Sequence, residues 1–295
     1  MPDNLASSDA APSGRRLLSD LPGWQSDDHA AALSAYRRSN PDPVHVSNDT
    51  ARRFIEARFA YAETIPAKVT GYYEPELDGS LIRSDVYPVP VHACPDHCPD
   101  APRANIEPLL AGHELCWLRD EVDRFFLQVQ GSGRVRLAQG GTLRLGYAGS
   151  NGQPYRSIGA RLIALGEMAA GDISAEKVKV WLRSDTVRGR ALMGENPSYV
   201  MFERLDLPEK DGPIGALGVS VTPMRSIAVD PEHHALGGLF WLDIGGVQRL
   251  VVAQDTGSAI KGHGRVDLFH GTGEAAGRAA GRVNTTGRLT ALVPR

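Results

Sequence analysis

Three cysteines in 295 residues are too few for a disulfide framework, so Cys94, Cys98 and Cys116 leave the redox compartment open. Positive charge is not in excess either: 32 Lys+Arg against 35 Asp+Glu leave a net charge of −3, with no global field to hold a phosphate backbone. Nucleic acid is thereby excluded as an expected partner. No run of 18 apolar residues occurs, which excludes a membrane-spanning helix, and Met1-Pro2-Asp3-Asn4 lacks the basic segment and apolar core of a secretory signal. Aromatic residues are only 6%, whereas glycine (32) and proline (20) are abundant, a balance that favours short strands and many turns over a helix bundle. What remains is a soluble globular chain. Its 42% hydrophobic and 23% charged residues exclude disorder as a description of the whole, and its length suits one large domain or two modest ones.

The first dozen residues, rich in Ser, Ala, Asp and Pro, carry no periodicity and are expected to be a disordered linker extending to about residue 16. Asp28 to Ser39 and Asn48 to Tyr61 each open on a capping residue and carry apolar residues at helical spacing, so both are predicted helices. From Lys68 the pattern changes to short β-rich runs: Val69 to Tyr73, Val86 to Val91, Phe125 to Gln130 and Val135 to Leu137. Helical spacing returns between Pro154 and Glu195, with Ser174 as a cap and a third short helix ending before Asn196-Pro197. Beyond the polar turn Pro208 to Gly212, a domain boundary, β character resumes at Leu217 to Thr222, Leu239 to Ile244 and Arg249 to Gln254.

Spacing rejects several familiar chemistries. In Gln130-Gly131-Ser132-Gly133-Arg134 neither glycine lies two residues from Ser132, so there is no nucleophile elbow, and Arg136 stands where a dinucleotide fingerprint needs its third glycine. The segment reads as a glycine turn between strands, or as a backbone edge offering Gln130 and Ser132 to a ligand. His92, Cys94, His97 and Cys98 supply soft ligands, but structural zinc sites draw on two separated pairs. A Cys94 to Cys98 disulfide or free thiols are expected instead. His233, His234, His263 and His270 form no His-x-x-x-His pair, which disfavours metal-dependent hydrolysis. Asp230, Asp255 and Asp267 each follow a β-type apolar stretch, where a rigid frame can hold a carboxylate in a cleft. Three such residues are a candidate acid/base centre, in which apolar surroundings keep one carboxyl protonated and polar hydrogen bonds keep others ionised. The alternative is that Asp commonly caps turns after strands.

Leu21-Pro22-Gly23-Trp24, Thr70-Gly71-Tyr72-Tyr73-Glu74-Pro75, Val129 to Gly133, Gly146-Tyr147-Ala148-Gly149-Ser150-Asn151-Gly152, Pro154-Tyr155-Arg156-Ser157-Ile158-Gly159 and Ala253 to Gly262 together resemble the murein lytic transglycosylase A family, in order from about Leu21 to Pro294. Asp230, Asp255 and Asp267 resemble the three-aspartate module of that family's C-terminal part. The resemblance implies a mainly β fold with peripheral helices. A double-psi β-barrel body, 17–74 with 213–295, would carry an inserted smaller β-rich domain, 75–212, with a groove between them for a glycan strand. It implies Asp267 as the catalytic acid/base with Asp255 beside it; Thr70, Tyr72, Asp230 and Lys261 match positions around it. Gln130, Ser132, Tyr147, Asn151, Tyr155 and Ser157 match blocks facing the groove. One departure is local: the segment from Gly262 to Asp267 holds one more residue between the second and third aspartates than some relatives do.

The implied function is cleavage of the β-1,4 bond between N-acetylmuramic acid and N-acetylglucosamine in peptidoglycan, leaving 1,6-anhydromuramyl ends and requiring no cofactor and no metal. The sugar's own C6 hydroxyl is then the nucleophile, so one carboxyl can serve as acid and then base where an ordinary glycosidase needs two. A non-catalytic glycan-binding barrel and a hydrolytic cell-wall glycosidase are the rival classes. Peptidoglycan glycan strands are the expected partner of a monomer, with cell-wall synthesis or hydrolase complexes around it. The implied place is the periplasm, with outer-membrane attachment by a lipid that this N-terminus does not display.

Overall fold

The computed structural model describes residues 16–40 and 47–295. The expected linker lies outside that range except for Arg16, which bridges Tyr61. Helix α1 (His29–Ser39) starts where Asp28 accepts a hydrogen bond from Ala31 N, and α2 (Asn48–Arg58) where Ser47 accepts from Thr50 N. Leu33, Ala35, Ala51 and Ile55 on these helices pack with Trp24, Trp241 and Leu250 against the outside of a barrel. The long strand β1 (Phe59–Glu74) enters that barrel and then leaves it.

The chain next builds a second sheet from β2 (Glu76–Ser80), β3 (Val89–His92), β4 (Glu114–Leu118), β5 (Gly133–Leu137), β6 (Thr142–Ser150) and β7 (Val200–Leu205). Between these strands lie α3 (Arg103–Ile106), α4 (Glu121–Gln130), α5 (Ile158–Ala164), α6 (Ala175–Ser184) and α7 (Thr186–Gly194). The sheet order is β3-β4-β2-β5-β6-β7. Val91, Leu118, Leu127, Val135, Leu145 and Phe202 form its core, while Phe125, Ile158, Leu162, Val178, Leu182 and Leu192 bind the helices to one another.

The return to the barrel adds β8 (Ser226–Ala228), β9 (Leu239–Ile244), β10 (Val247–Asp255), β11 (Arg265–Thr272), α8 (Gly273–Ala280) and β12 (Asn284–Pro294). These close with β1 in the order β1-β11-β8-β10-β9-β12. β1/β11 and β8/β10 are parallel and the remaining neighbours antiparallel. Val69, Ile227, Leu242, Val251, Val266, Leu268 and Leu289 fill the interior. The fold is thus mainly β, with a closed barrel, a second sheet and few helices.

Where the chain leaves and re-enters the barrel, an ion cluster joins its parts. Glu74, at the end of β1, accepts from Arg134 Nε on β5 (2.8 Å), Arg144 Nη2 on β6 (3.1 Å) and Thr272 Oγ1 on β11 (2.7 Å). The same two arginines donate to the carbonyls of Pro208, Glu209 and Asp211 on the returning segment. Both chain crossings are held by one buried carboxylate.

Three sequence expectations change. Phe125 to Gln130 is the second half of helix α4, not a strand; Asp120 caps it by accepting from Asp123 N, and Gly131, at φ 78°, closes it in the left-handed conformation. The Gln130-Gly131-Ser132 turn therefore follows a helix. Helix α2 stops at Arg58, because Phe59 to Tyr61 pair with Pro294 to Leu292 of β12. Leu217 to Thr222 forms no strand; it is a loop with one isolated bridge, Ile214 to Ser220. Of the sulfur groups, Cys94 and Cys98 form a disulfide and Cys116 is free and buried. The disulfide lies on Gly149 of β6, where a Cβ would come within 2.8 Å of Cys98 Sγ.

Candidate active site

The register of three barrel strands assembles the site. Thr70 on β1 is the parallel partner of Asp267 on β11, and Ala228 on β8 is the partner of both Asp267 and Asp255, the last residue of β10. The two aspartates thus flank one small alanine, which leaves space between them. Strand alternation places Val69, Val266 and Leu268 inside the barrel and Thr70, Tyr72, Arg265, Asp267 and Phe269 on its outer face. Tyr72 and Phe269 rest with Val221, Ala228 and Ile260 in an apolar cluster beneath the carboxyls. Asp267 therefore lies near the start of β11, and not after an apolar run as the sequence pattern suggested.

The two carboxyls are held differently. Asp255 takes three donors: Ala216 N (3.0 Å) and Thr256 N (2.9 Å) on Oδ1, and the Tyr72 hydroxyl (2.9 Å) on Oδ2. Asp267 takes one, the Thr70 hydroxyl on Oδ1. Loss of water around Asp267 is the main reason that its pKa is raised to about 6; the Thr70 hydrogen bond and the Arg265 charge oppose the rise, and Asp255 adds the smallest part. Burial also pushes Asp255 upward, against its three donors. Tyr72 is held well above the ordinary phenol value by burial and then by the adjoining carboxylate, so it is a donor at any ordinary pH.

These residues form one wall of a cleft of about 220 Å³, and the second sheet with its helices forms the other, through Arg103, Gln128, Gln130, Tyr155, Asn196 and Ser198. The cleft continues into a larger hollow of about 580 Å³ lined by Ser132, Tyr147, Gly215 and Ser258 among others. Gln130 reaches across the junction, accepting from Tyr73 N at 3.1 Å. Ser132 is buried in the hollow's wall and Tyr147 stands 54% exposed over it.

Eight of the twelve residues singled out in the sequence thus meet at the cleft or touch its carboxyls: Thr70, Tyr72, Gln130, Ser132, Tyr147, Tyr155, Asp255 and Asp267. Four do not line it. Asn151 is buried, and its amide braces Ala101, Pro197 and Tyr199. Ser157 caps α5 through Ala160 N. Asp230 is buried beneath the β10–β11 loop, where it accepts from Gly262 N (2.8 Å) and faces Lys261 Nζ (3.4 Å); the Gly262 hydrogen bond leads the effects that hold its pKa below the ordinary value. Lys261 is exposed and directed to Asp230. Asp230 and Lys261 shape the loop between the two cleft aspartates and are not among the residues that line the cleft.

The sequence reading missed Arg103 and Arg265. Arg103 lies against the rings of Phe125 and Tyr199 and donates to Gln128 Oε1 and the carbonyls of Asn196 and Ser198; desolvation lowers its pKa to about 10. Nothing local in the sequence marks it. Arg265 was readable, because residues i and i+2 of a strand share a face and Asp267 was already a candidate.

Residues 98–203 match the family model described as the MltA specific insert domain, and residues 225–293 match the 3D domain. The chain is 34% identical over 243 residues to membrane-bound lytic murein transglycosylase A of Vibrio cholerae, covering 76% of this chain and 64% of that protein. It is 34% identical over 240 residues to the Escherichia coli protein of the same name, with the same coverage. The chain spans just under two thirds of the length of these curated relatives. Among solved structures, lytic transglycosylase LtgG of Burkholderia pseudomallei is 38% identical with TM-score 0.66, covering 97% of this chain and 96% of that one. A membrane-bound lytic murein transglycosylase from Agrobacterium tumefaciens is 28% identical with TM-score 0.83 (95% and 97%). E. coli MltA with bound chitohexaose is 25% identical with TM-score 0.77 (90% and 89%).

Proposed function

The chain belongs to the lytic murein transglycosylase A family, and from that premise we propose that it is a peptidoglycan lytic transglycosylase, cleaving the β-1,4 bond between N-acetylmuramic acid and N-acetylglucosamine with a single aspartate as acid and base. The observation that carries the reading is one cleft holding two unlike carboxyls, Asp267 with its pKa raised to about 6 and one donor, and Asp255 with three donors. Protonated Asp267 gives its proton to the glycosidic oxygen as the bond from C1 breaks. The resulting carboxylate takes the C6 hydroxyl's proton as O6 attacks C1, which closes the anhydro ring and restores the acid. No water is consumed. Holding O6 beside C1 replaces a bimolecular attack by an intramolecular one, and Asp255 with its donors stabilises positive charge developing on the sugar.

The cleft between barrel and second sheet continues into the adjoining hollow, which gives an extended site suited to a polymer, and the E. coli relative solved with chitohexaose supports a β-1,4 glycan as occupant. In this reading Tyr155, Gln130, Ser132 and Tyr147 line the path of the strand. The catalytic body is 17–74 with 213–295, and 75–212 is the inserted unit that closes the groove. The membrane-bound relatives support a periplasmic protein held at the outer membrane. Digestion of purified murein sacculi with product mass spectrometry tests the function. Products lighter by one water than reducing-end fragments are expected; reducing ends would identify a hydrolase, and undigested sacculi a binding protein.

A further inference from the structure

We propose that Arg265 is a positioning residue that works through Thr70: by donating to the Thr70 hydroxyl oxygen it turns that hydroxyl's one proton onto Asp267 Oδ1, leaving Oδ2 as the oxygen that carries the catalytic proton. The proposal rests on the reading of Asp267 given above.

The geometry begins with register. Arg265 and Asp267 project from the same face of β11, and Thr70 stands opposite Asp267 on β1. Arg265 Nη2 donates to Thr70 Oγ1 at 2.8 Å, and Thr70 Oγ1 in turn contacts Asp267 Oδ1. A guanidinium has donors and no acceptor, so Thr70 is the acceptor in the first contact. Its own proton is then repelled by the cation and drawn to the carboxyl. The reverse arrangement, with Asp267 donating from Oδ1, would place donors on both sides of Thr70 and leave its proton without an acceptor, since among the described residues its side chain has no third partner. Oδ1 is thereby an acceptor in both states of the acid, and the proton resides on Oδ2. From there it goes to the glycosidic oxygen as the C1–O bond breaks, and it is replaced from O6 as the C1–O6 bond forms.

Arg265 is placed for this task. Its Nη1 is held by the Val266 carbonyl at 2.7 Å, it lines the same cleft as Asp267, and among the described residues no carboxylate lies within ion-pair distance of it. The charged and titratable groups that line the cleft with Asp267 are Tyr72 on β1, Asp255 on β10, Arg265 on β11 and, across the cleft, Arg103 and Tyr155. Of these, Arg265 is the one that also touches the hydroxyl bonded to the acid. Its charge additionally favours the carboxylate that remains after proton transfer.

The test uses the full chain with Arg265→Met, Arg265→Lys, Thr70→Val and Thr70→Ser, each checked for folding by thermal melting. Carbon-13 NMR titration of the Asp267 carboxyl, assigned by its loss in Asp267→Asn, reads the acid without turnover. Arg265→Met is expected to raise its pKa and Arg265→Lys to restore it. On sacculi at a pH below the alkaline limb, Arg265→Met and Thr70→Val are each expected to lower kcat roughly tenfold with little change in KM. The double variant should be no slower than Thr70→Val, while Thr70→Ser and Arg265→Lys recover most of the rate. An unmoved Asp267 titration in Arg265→Met, or multiplicative losses in the double variant, would overturn the proposal. Wild-type digests without anhydro ends would instead sink the assignment of the reaction, which the product analysis decides separately from the titration.

Discussion

Replacing Glu74 by Ala removes the acceptor that holds both crossings between barrel and second sheet. Glu74 is 1% exposed, and its partners Arg134 and Arg144 are 11% and 7% exposed, so the charges left behind cannot be rehydrated without opening the junction. Breaking a buried ion pair by removing one partner costs about 3–5 kcal/mol, because the remaining charge stays buried and unpaired. For a chain of this size, roughly 2 °C of melting temperature per kcal/mol converts this to a fall of about 6–10 °C. Calorimetry of the wild type, Glu74→Ala and Glu74→Gln checks the value, and Gln, which keeps an acceptor oxygen and the shape, should lose less. A triple variant with Glu74, Arg134 and Arg144 all replaced by Met should recover much of the melting temperature, since apolar replacement of a whole buried ion cluster is often close to neutral. Activity should recover less, because the carbonyls of Pro208, Glu209 and Asp211 have then lost their donors and the second wall of the cleft its anchor. A fall of less than about 2 °C in Glu74→Ala, or roughly 1 kcal/mol, would show that water screens the cluster and would refute the account of the junction.

The remaining predictions concern the cleft and the disulfide. The rate on sacculi should fall as pH rises through about 6, where Asp267 loses the proton it must donate; Asp255→Asn should move this limb only slightly to lower pH, because desolvation and not the neighbouring charge leads the shift. A limb displaced upward, or by several units, in that variant would contradict the order of causes. Asp267→Asn should lower turnover roughly 100-fold or more and yet melt higher at pH 7. Folded Asp267 binds its proton more tightly than the unfolded chain, so its stabilising contribution is complete below about 3.8 and is lost as pH rises through about 6. An Asn variant that melts lower than wild type at pH 7 would count against that sign. Replacing Cys94 and Cys98 together by Ser should cost about 2 kcal/mol by the entropy of the short loop they close, read from urea unfolding. No loss would mean that the loop is held without the bond.

Local signals made much of the molecule legible. Asp28 and Ser174 announced α1 and α6, and the β-type apolar runs Leu239 to Ile244 and Arg249 to Gln254 announced two barrel strands. The same reasoning failed at Phe125 to Gln130, where a short apolar run suits a strand or a buried helix equally and the deciding cap, Asp120, lies five residues before it. It failed at Leu217 to Thr222, where β-type residues found no strand to pair with.

The sequence by itself determined which chemistry the chain carries: two aspartates, a threonine and a tyrosine in recognisable blocks within β-rich segments. Only the tertiary structure decided which of those groups meet. Asp230, Asn151, Ser157 and Lys261 read as site residues, yet they brace loops and a helix start, because a side chain's role follows from which neighbour satisfies its hydrogen bonds. Asp255 and Asp267 are the same residue type, one at the end of β10 and one near the start of β11, and nothing local distinguishes donor from stabiliser. The difference arises from three donors against one and from the water that each strand crossing removes, quantities that come into being only when β1, β8, β10 and β11 close against a second wall.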